Sequence, residues 1–154
     1  MSPAASPADD APYGLPAAGQ RLGLPAHGPG SVASWGRRIA ALFIDWFLAS
    51  FVVLVLARGT SPWTPGSLAQ LWPLLAWLVI VALSTGLTGA SPGQHLLRLR
   101  VIRLDRRPVG VWNGFVRTVL IALVVPPLVV DADRRGWHDL AVGTVVVNGP
   151  GSAS

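Results

Sequence analysis

Cysteine is absent from this chain of 154 residues, and so are lysine and glutamate. Without cysteine there is no disulfide framework, no thiolate metal site and no cysteine nucleophile. Charge is scarce too: 12% of the residues are charged, against about 25% in ordinary soluble domains. All twelve basic residues are arginine and all seven acidic ones aspartate. With abundant Ala, Pro, Gly and Val, that bias reads as GC-rich coding of the actinobacterial type. The three histidines, His27, His95 and His138, are well separated in the chain, so neither a metal site nor any other cofactor is expected. No GK[ST] follows a glycine-rich loop, which excludes a phosphate-binding loop of that kind. No nucleophile and base stand out as a pair, and no enzymatic activity is expected. The net charge of +5 does not point to nucleic acid, because the arginines flank apolar runs, where orientation and lipid contact explain them.

Apolar residues dominate what is present: 51% of the chain is hydrophobic, with mean hydropathy +0.52. Residues 1–34, rich in Pro, Ala and Gly, bury too little apolar surface to offset the entropy of ordering and read as a disordered tail. They lack the basic start and prompt apolar stretch of a secretory signal. Residues 39–57, IAALFIDWFLASFVVLVLA, hold a single charge, Asp45. At about 1.5 Å per residue they cover roughly 28 Å, close to one hydrocarbon thickness. A turn with two prolines follows, then a second apolar run over 68–87 that carries no charge. The connector 88–114 holds Arg98, Arg100, Arg103, Arg106 and Arg107, and its LLRLRVIRL alternates apolar and basic residues, the period of a strand. A strand in the bilayer core would leave unpaired edges, so this element belongs at the interface. TVVV near the end reads as a second short strand, and 149–154 as a flexible end. Trp35, Trp63, Trp112 and Trp137 fall near the expected membrane boundaries, where amphipathic rings fit.

The third apolar stretch, 115–130, is only sixteen residues long, with Arg117 near its start and Pro126-Pro127 near its end. It is read as a third span with Arg117 snorkelling to the interface; the alternative is a segment that enters and turns back at the prolines. The expectation is an all-α multi-pass membrane protein with three apolar helices and a small interfacial β element. Arg37 and Arg38 precede the first span and five arginines follow the second, with only Arg58 between them. That asymmetry puts the N-terminal side in the cytoplasm, and the membrane expected is the plasma membrane.

Asp45 is the residue to explain. An ionisable side chain within a span costs roughly 2.5–3.5 kcal/mol on insertion scales and by default marks a functional site. Arg38 precedes it by two helical turns, about 10 Å along the axis, too far for a direct ion pair. Arg117, the basic residue inside another apolar segment, is the expected partner across helices, since pairing offsets part of the burial penalty. Asp45 is then either a hydrogen-bonding anchor between helices or part of an ion or solute path.

Four blocks, in order, resemble the RDD family of small integral membrane proteins. GRRIAALFID (36–45) supplies an arginine and an aspartate at Arg38 and Asp45. TGASPGQHLLRLRVI (88–102) is similar to the family's G-x-[ST]-P-G-K block, with Gln94 in place of the basic residue and Gly93 as its glycine. NGFVRTVL (113–120) carries Arg117, and GWHDLAVGTVVV (136–147) places the second aspartate at Asp139, next to His138. The resemblance implies a multi-pass fold and a functional charge set of Arg38, Asp45 and Asp139, supported by Arg117, Gly93 and His138. It also implies a transport-type or ion-coupled role with no assigned ligand. A non-transporting accessory or assembly subunit is the alternative. The expected partners are the lipid bilayer and either further copies of the chain or a membrane complex. The short final apolar segment departs from the family. If it turns back, Asp139 returns to the side of Arg38; if it spans, the membrane separates them.

Overall fold

The computed structural model describes residues 17–58, 68–105, 107–123 and 135–151. Helix α1 (Trp35–Leu56) starts at Ser34, whose backbone is extended, and ends where Arg58 turns left-handed at φ 52°. Between them no proline interrupts the backbone ladder. Its buried residues are Ala41, Asp45, Ala49 and Val53, one narrow stripe with a step of four. Its large side chains face the other way: Phe43, Phe47 and Phe51 are about 59, 70 and 62% exposed. Small or polar inside and large apolar outside inverts the arrangement of a soluble domain and matches helices packed in lipid.

Helix α2 (Trp72–Thr88) continues from a single 3-10 turn, Leu68–Leu71, giving 21 helical residues. Pro73 sits in the first turn of α2, where a missing N–H does no harm. Gly89, at φ 77°, closes the helix by donating its N–H to the Thr85 carbonyl; the left-handed conformation of such a closing residue suits glycine. Pro73, Trp77, Val81 and Thr85 form another buried stripe with a step of four. Both long helices are apolar and long enough to cross a membrane, and only 22 and 28% of their most apolar windows are buried. The core helix of a soluble protein would be mostly covered.

After α2 the chain folds into short pieces. Helix α3 (Pro92–Leu96) leads into strand β1 (Leu99–Arg103), then helix α4 (Val111–Ala122), helix α5 (Trp137–Ala141) and strand β2 (Thr144–Asn148). β1 and β2 pair antiparallel, Leu99 opposite Asn148 and Arg103 opposite Thr144. The outer edge of β1 is engaged by Gly89, whose carbonyl accepts from Val101. α4 packs along α2, and α3 lies across α1. The α2–α4 crossing is tight because it has no side chains: a Cβ on Gly114 would stand 2.7 Å from the Ala82 oxygen, and one on Gly86 2.5 Å from the Val111 Cα. The core has three parts, one of them Val32, Val145 and Val147 on the other side of strand β2. Ala33, Ala41, Leu99, Val101, Val109 and Val146 pack where the sheet meets α1, and Ala49, Trp77 and Val81 pack between α1 and α2.

Two expectations are corrected. Residues 17–34 belong to the fold rather than to a disordered tail; residues 1–16 of that reading lie outside the described residues. Gly30 and Ala33 donate to the Asn148 and Val146 carbonyls, Asn148 donates to Ser31, and Val32 is buried. The second concerns Arg117 and the third span, which the described residues show only in part. α4 has twelve residues, about 18 Å of helix, against a hydrocarbon core of about 30 Å; residues 124–130 of the expected span lie outside the described residues. Arg117 does not snorkel outward. It is 3% exposed and turned inward.

Candidate functional site

Asp45 lies on the buried stripe of α1, 3% exposed. Ser91 Oγ donates to its Oδ2 at 2.5 Å, and the Gly93 N–H donates to its Oδ1 at 2.6 Å. Short hydrogen bonds to a carboxylate are the strong kind. Both donors come from the turn entering α3, which Ser91 and Gln94 shape into a reciprocal cap. The Gln94 N–H donates to Ser91 Oγ at 3.2 Å and the Ser91 N–H to Gln94 Oε1 at 2.9 Å. Gln94, the departure from the family block, is thus the residue that completes this cap. Gly93 is required by space: a Cβ there would run into the Ala41 carbonyl oxygen of α1.

Asp139, on α5, is fully buried. Arg117 Nε donates to its Oδ1 at 2.8 Å and Thr144 Oγ1 at 3.0 Å. Arg38 Nη1 stands 3.6 Å and His138 Nε2 3.5 Å from Oδ2. Arg38 also donates to the Val146 carbonyl of β2 at 3.1 Å. The neighbouring Arg37 is used differently, donating to Asn148 Oδ1 at 2.7 Å and to the Leu97 carbonyl. Arg38 and Asp139 are therefore side by side, an arrangement that a full third span would prevent. The expected Asp45–Arg117 pair is not formed. Arg117 is spent at Nε on Asp139, and Asp45 takes its hydrogen bonds from Ser91 and Gly93.

Burial pushes the Asp139 carboxyl upward. The charges of Arg117, His138 and Arg38 and the hydrogen bond from Arg117 outweigh it, holding the pKa down from 3.8 to about 2. A depressed folded pKa adds stability that is present above 3.8 and lost as pH falls through 3.8 towards about 2. At 1.36 kcal/mol per unit the loss is about 2 kcal/mol. Thermal unfolding in detergent, followed by tryptophan fluorescence, should show this group's contribution unchanged near neutrality and gone by pH 2. Stability that stays flat to pH 2 would contradict the assignment.

A cavity of about 210 Å3 is lined among others by Asp45, Trp77 and Ser91 and by the Asp139 neighbours Arg38, Arg117 and His138. Among the described residues no group of three or more His, Asp or Glu is placed to hold a metal ion. The sequence-predicted residues Arg38, Arg117, His138 and Asp139 meet in one cluster, and Asp45 and Gly93 in the adjoining one. Sequence reasoning missed Ser91, Gln94, Trp77 and Thr144. The Ser91-Pro92-Gly93-Gln94 run does carry the signal of a capped helix start, a serine with a glutamine three residues on. Nothing local marks Trp77 or Thr144.

A family model described as RDD family matches residues 32–143 of the chain. In the two other comparisons, neither a curated protein nor a solved structure matches it.

Proposed function

Taking as premise that the chain belongs to the RDD family, we propose that it is a small plasma-membrane protein of transport type, in which the Asp45–Arg117 cavity receives a small solute and Asp45 couples its passage to a proton or another cation. The observation that carries this reading is the cavity itself, which places Asp45 and Arg117, both 3% exposed, beside the two apolar helices. Buried charges that line a hollow, rather than filling each other's valences, are what a solute path needs. Asp45 is also tied to the turn entering α3. While charged, it accepts from Ser91 and Gly93. Once protonated it becomes a donor at one oxygen, and the Ser91 hydroxyl must turn round to accept. The docking of α3 on α1 thereby follows the charge of Asp45. Two spanning helices enclose little space, so the path is completed by further copies of the chain, with the Arg37–Arg38 end in the cytoplasm.

Asp45→Asn keeps the shape of the side chain and removes the switch. In proteoliposomes it should abolish solute-driven proton or cation flux while the protein still elutes as a single species. Wild-type protein that carries no flux, yet is captured with a constant membrane partner that Asp45→Asn releases, would establish the accessory-subunit reading instead. The exposed ridge of Phe43, Phe47 and Phe51 on α1 favours that second reading, since it has the spacing of a helix-docking face.

A further inference from the structure

We propose that the cavity lined by Asp45, Trp77 and Arg117 takes a small oxyanion, a carboxylate or phosphate group carrying a short apolar body. The assignment rests on the reading of this cavity as a solute site and narrows its ligand. The groups left over in it are donors. Arg117 is 3% exposed and lines the cavity, yet among the described residues its hydrogen bonding is confined to Nε, which meets Asp139. Its terminal nitrogens, the forked edge that fits a carboxylate or phosphate, are unspent. Trp77, also 3% exposed and also lining the cavity, buries its indole N–H without an acceptor among the described residues. An indole N–H can only donate, and a buried donor without an acceptor is costly. A ligand that supplies acceptors to both removes that penalty.

The acidic groups do not compete for the same role. Both oxygens of Asp45 already accept hydrogen bonds. Asp139 does not line the cavity, and its Oδ2, which takes no hydrogen bond among the described residues, lies 3.6 Å from Arg38 and 3.5 Å from His138. An ammonium ligand in the cavity would face the guanidinium and indole donors, and the Asp45 oxygens that line it already carry donors. The remaining wall is apolar, with Ile39, Leu42, Val81 and Ile121, so the ligand carries carbon as well as oxygen. Size sets the limit: at about 210 Å3 the cavity falls below the roughly 300–1,000 Å3 of drug-sized sites. It admits a headgroup and a short chain.

The test is calorimetric titration of the purified full-length protein with hexanoate, hexyl phosphate, hexylammonium and hexanol. Hexanoate or hexyl phosphate should bind saturably, with hexylammonium and hexanol at least tenfold weaker. Trp77→Phe preserves the ring packing and removes the N–H. It should weaken the anion about tenfold, which is one hydrogen bond's worth at 1.4 kcal/mol per decade. Arg117→Lys keeps the charge beside Asp139 and loses the fork, and should weaken binding further. Repeating the titration in nanodiscs separates the two sources of such an anion. Competition by anionic over zwitterionic lipid identifies a bilayer headgroup, and equal affinity in both identifies a free acid. Preference for hexylammonium, or a Trp77→Phe affinity equal to wild type, overturns the oxyanion while leaving a solute cavity. Failure of all four probes to bind overturns the oxyanion and the solute cavity together.

Discussion

Asp139→Asn is expected to lower stability by about 3–5 kcal/mol, the range for breaking a buried ion pair from one side. The reason is what stays behind. Asp139 is wholly buried, and the side chains of Arg117 and Arg38 that face it are 4 and 13% exposed. Asparagine matches its shape and still offers one oxygen to Arg117, so packing is not the issue. The two guanidinium groups lose their counter-charge in a place where water cannot replace it. Against a typical total of about 5–15 kcal/mol, that is a large share, and the variant should elute as aggregate or unfold well below wild type on heating in detergent. A second substitution separates charge from general damage. Arg117→Gln removes one of the stranded cations, so the double variant should be more stable than Asp139→Asn alone, a coupling that a double-mutant cycle reads directly. Asp139→Asn protein that melts with wild type, or a double variant whose losses simply add, would rule out the buried ion pair as the organising contact.

The other large effect is steric. Gly93→Val should destabilise the fold by about 3–5 kcal/mol, combining overpacking with the loss of hydrogen bonds to a buried acceptor. A Cβ at position 93 would meet the Ala41 carbonyl, its carbon at 3.1 Å, and the Asp45 Cγ at 3.1 Å. The obstruction is helix backbone, which cannot swing aside as a side chain does. α3 must lift from α1, and Asp45 then loses both the Gly93 N–H and the Ser91 hydroxyl. Gly36→Ala is the matched control, because a Cβ there meets nothing within 4 Å; it should leave stability unchanged or slightly raised. The same heating assay on both variants decides. Equal behaviour of the two would mean that the close approach of α3 to α1 carries no weight.

Much of this architecture can be read before any coordinates. The two long helices follow from apolar runs of sufficient length, and the paired strands from the alternation in LLRLRVIRL and the run of valines near the end. Part of the charge set was legible too: Asp45 and Arg117 sit inside apolar runs, where charges are expensive, while Arg38 and Asp139 were singled out by the family resemblance. Their pairing was not. Arg117 looks like a residue reaching for water, and its true partner lies 22 positions away on another helix, a distance over which local pattern says nothing. Ser91 hides inside a Ser-Pro-Gly run that reads as an ordinary turn. Residues 30–33 join β2 through backbone groups alone, and a Pro/Gly-rich composition is blind to a contact that needs no side chain.

Strand β2 has a consequence for how the molecule is made. The carbonyl that receives Arg38 belongs to Val146, 108 positions later, and Asp139 is more than 100 positions after Arg38. The polar partners of the first helix are therefore made late: those of Asp45 at the turn 91–93, and those of Arg38 at Asp139 and Val146. The final polar contacts close only when the last strand has left the ribosome.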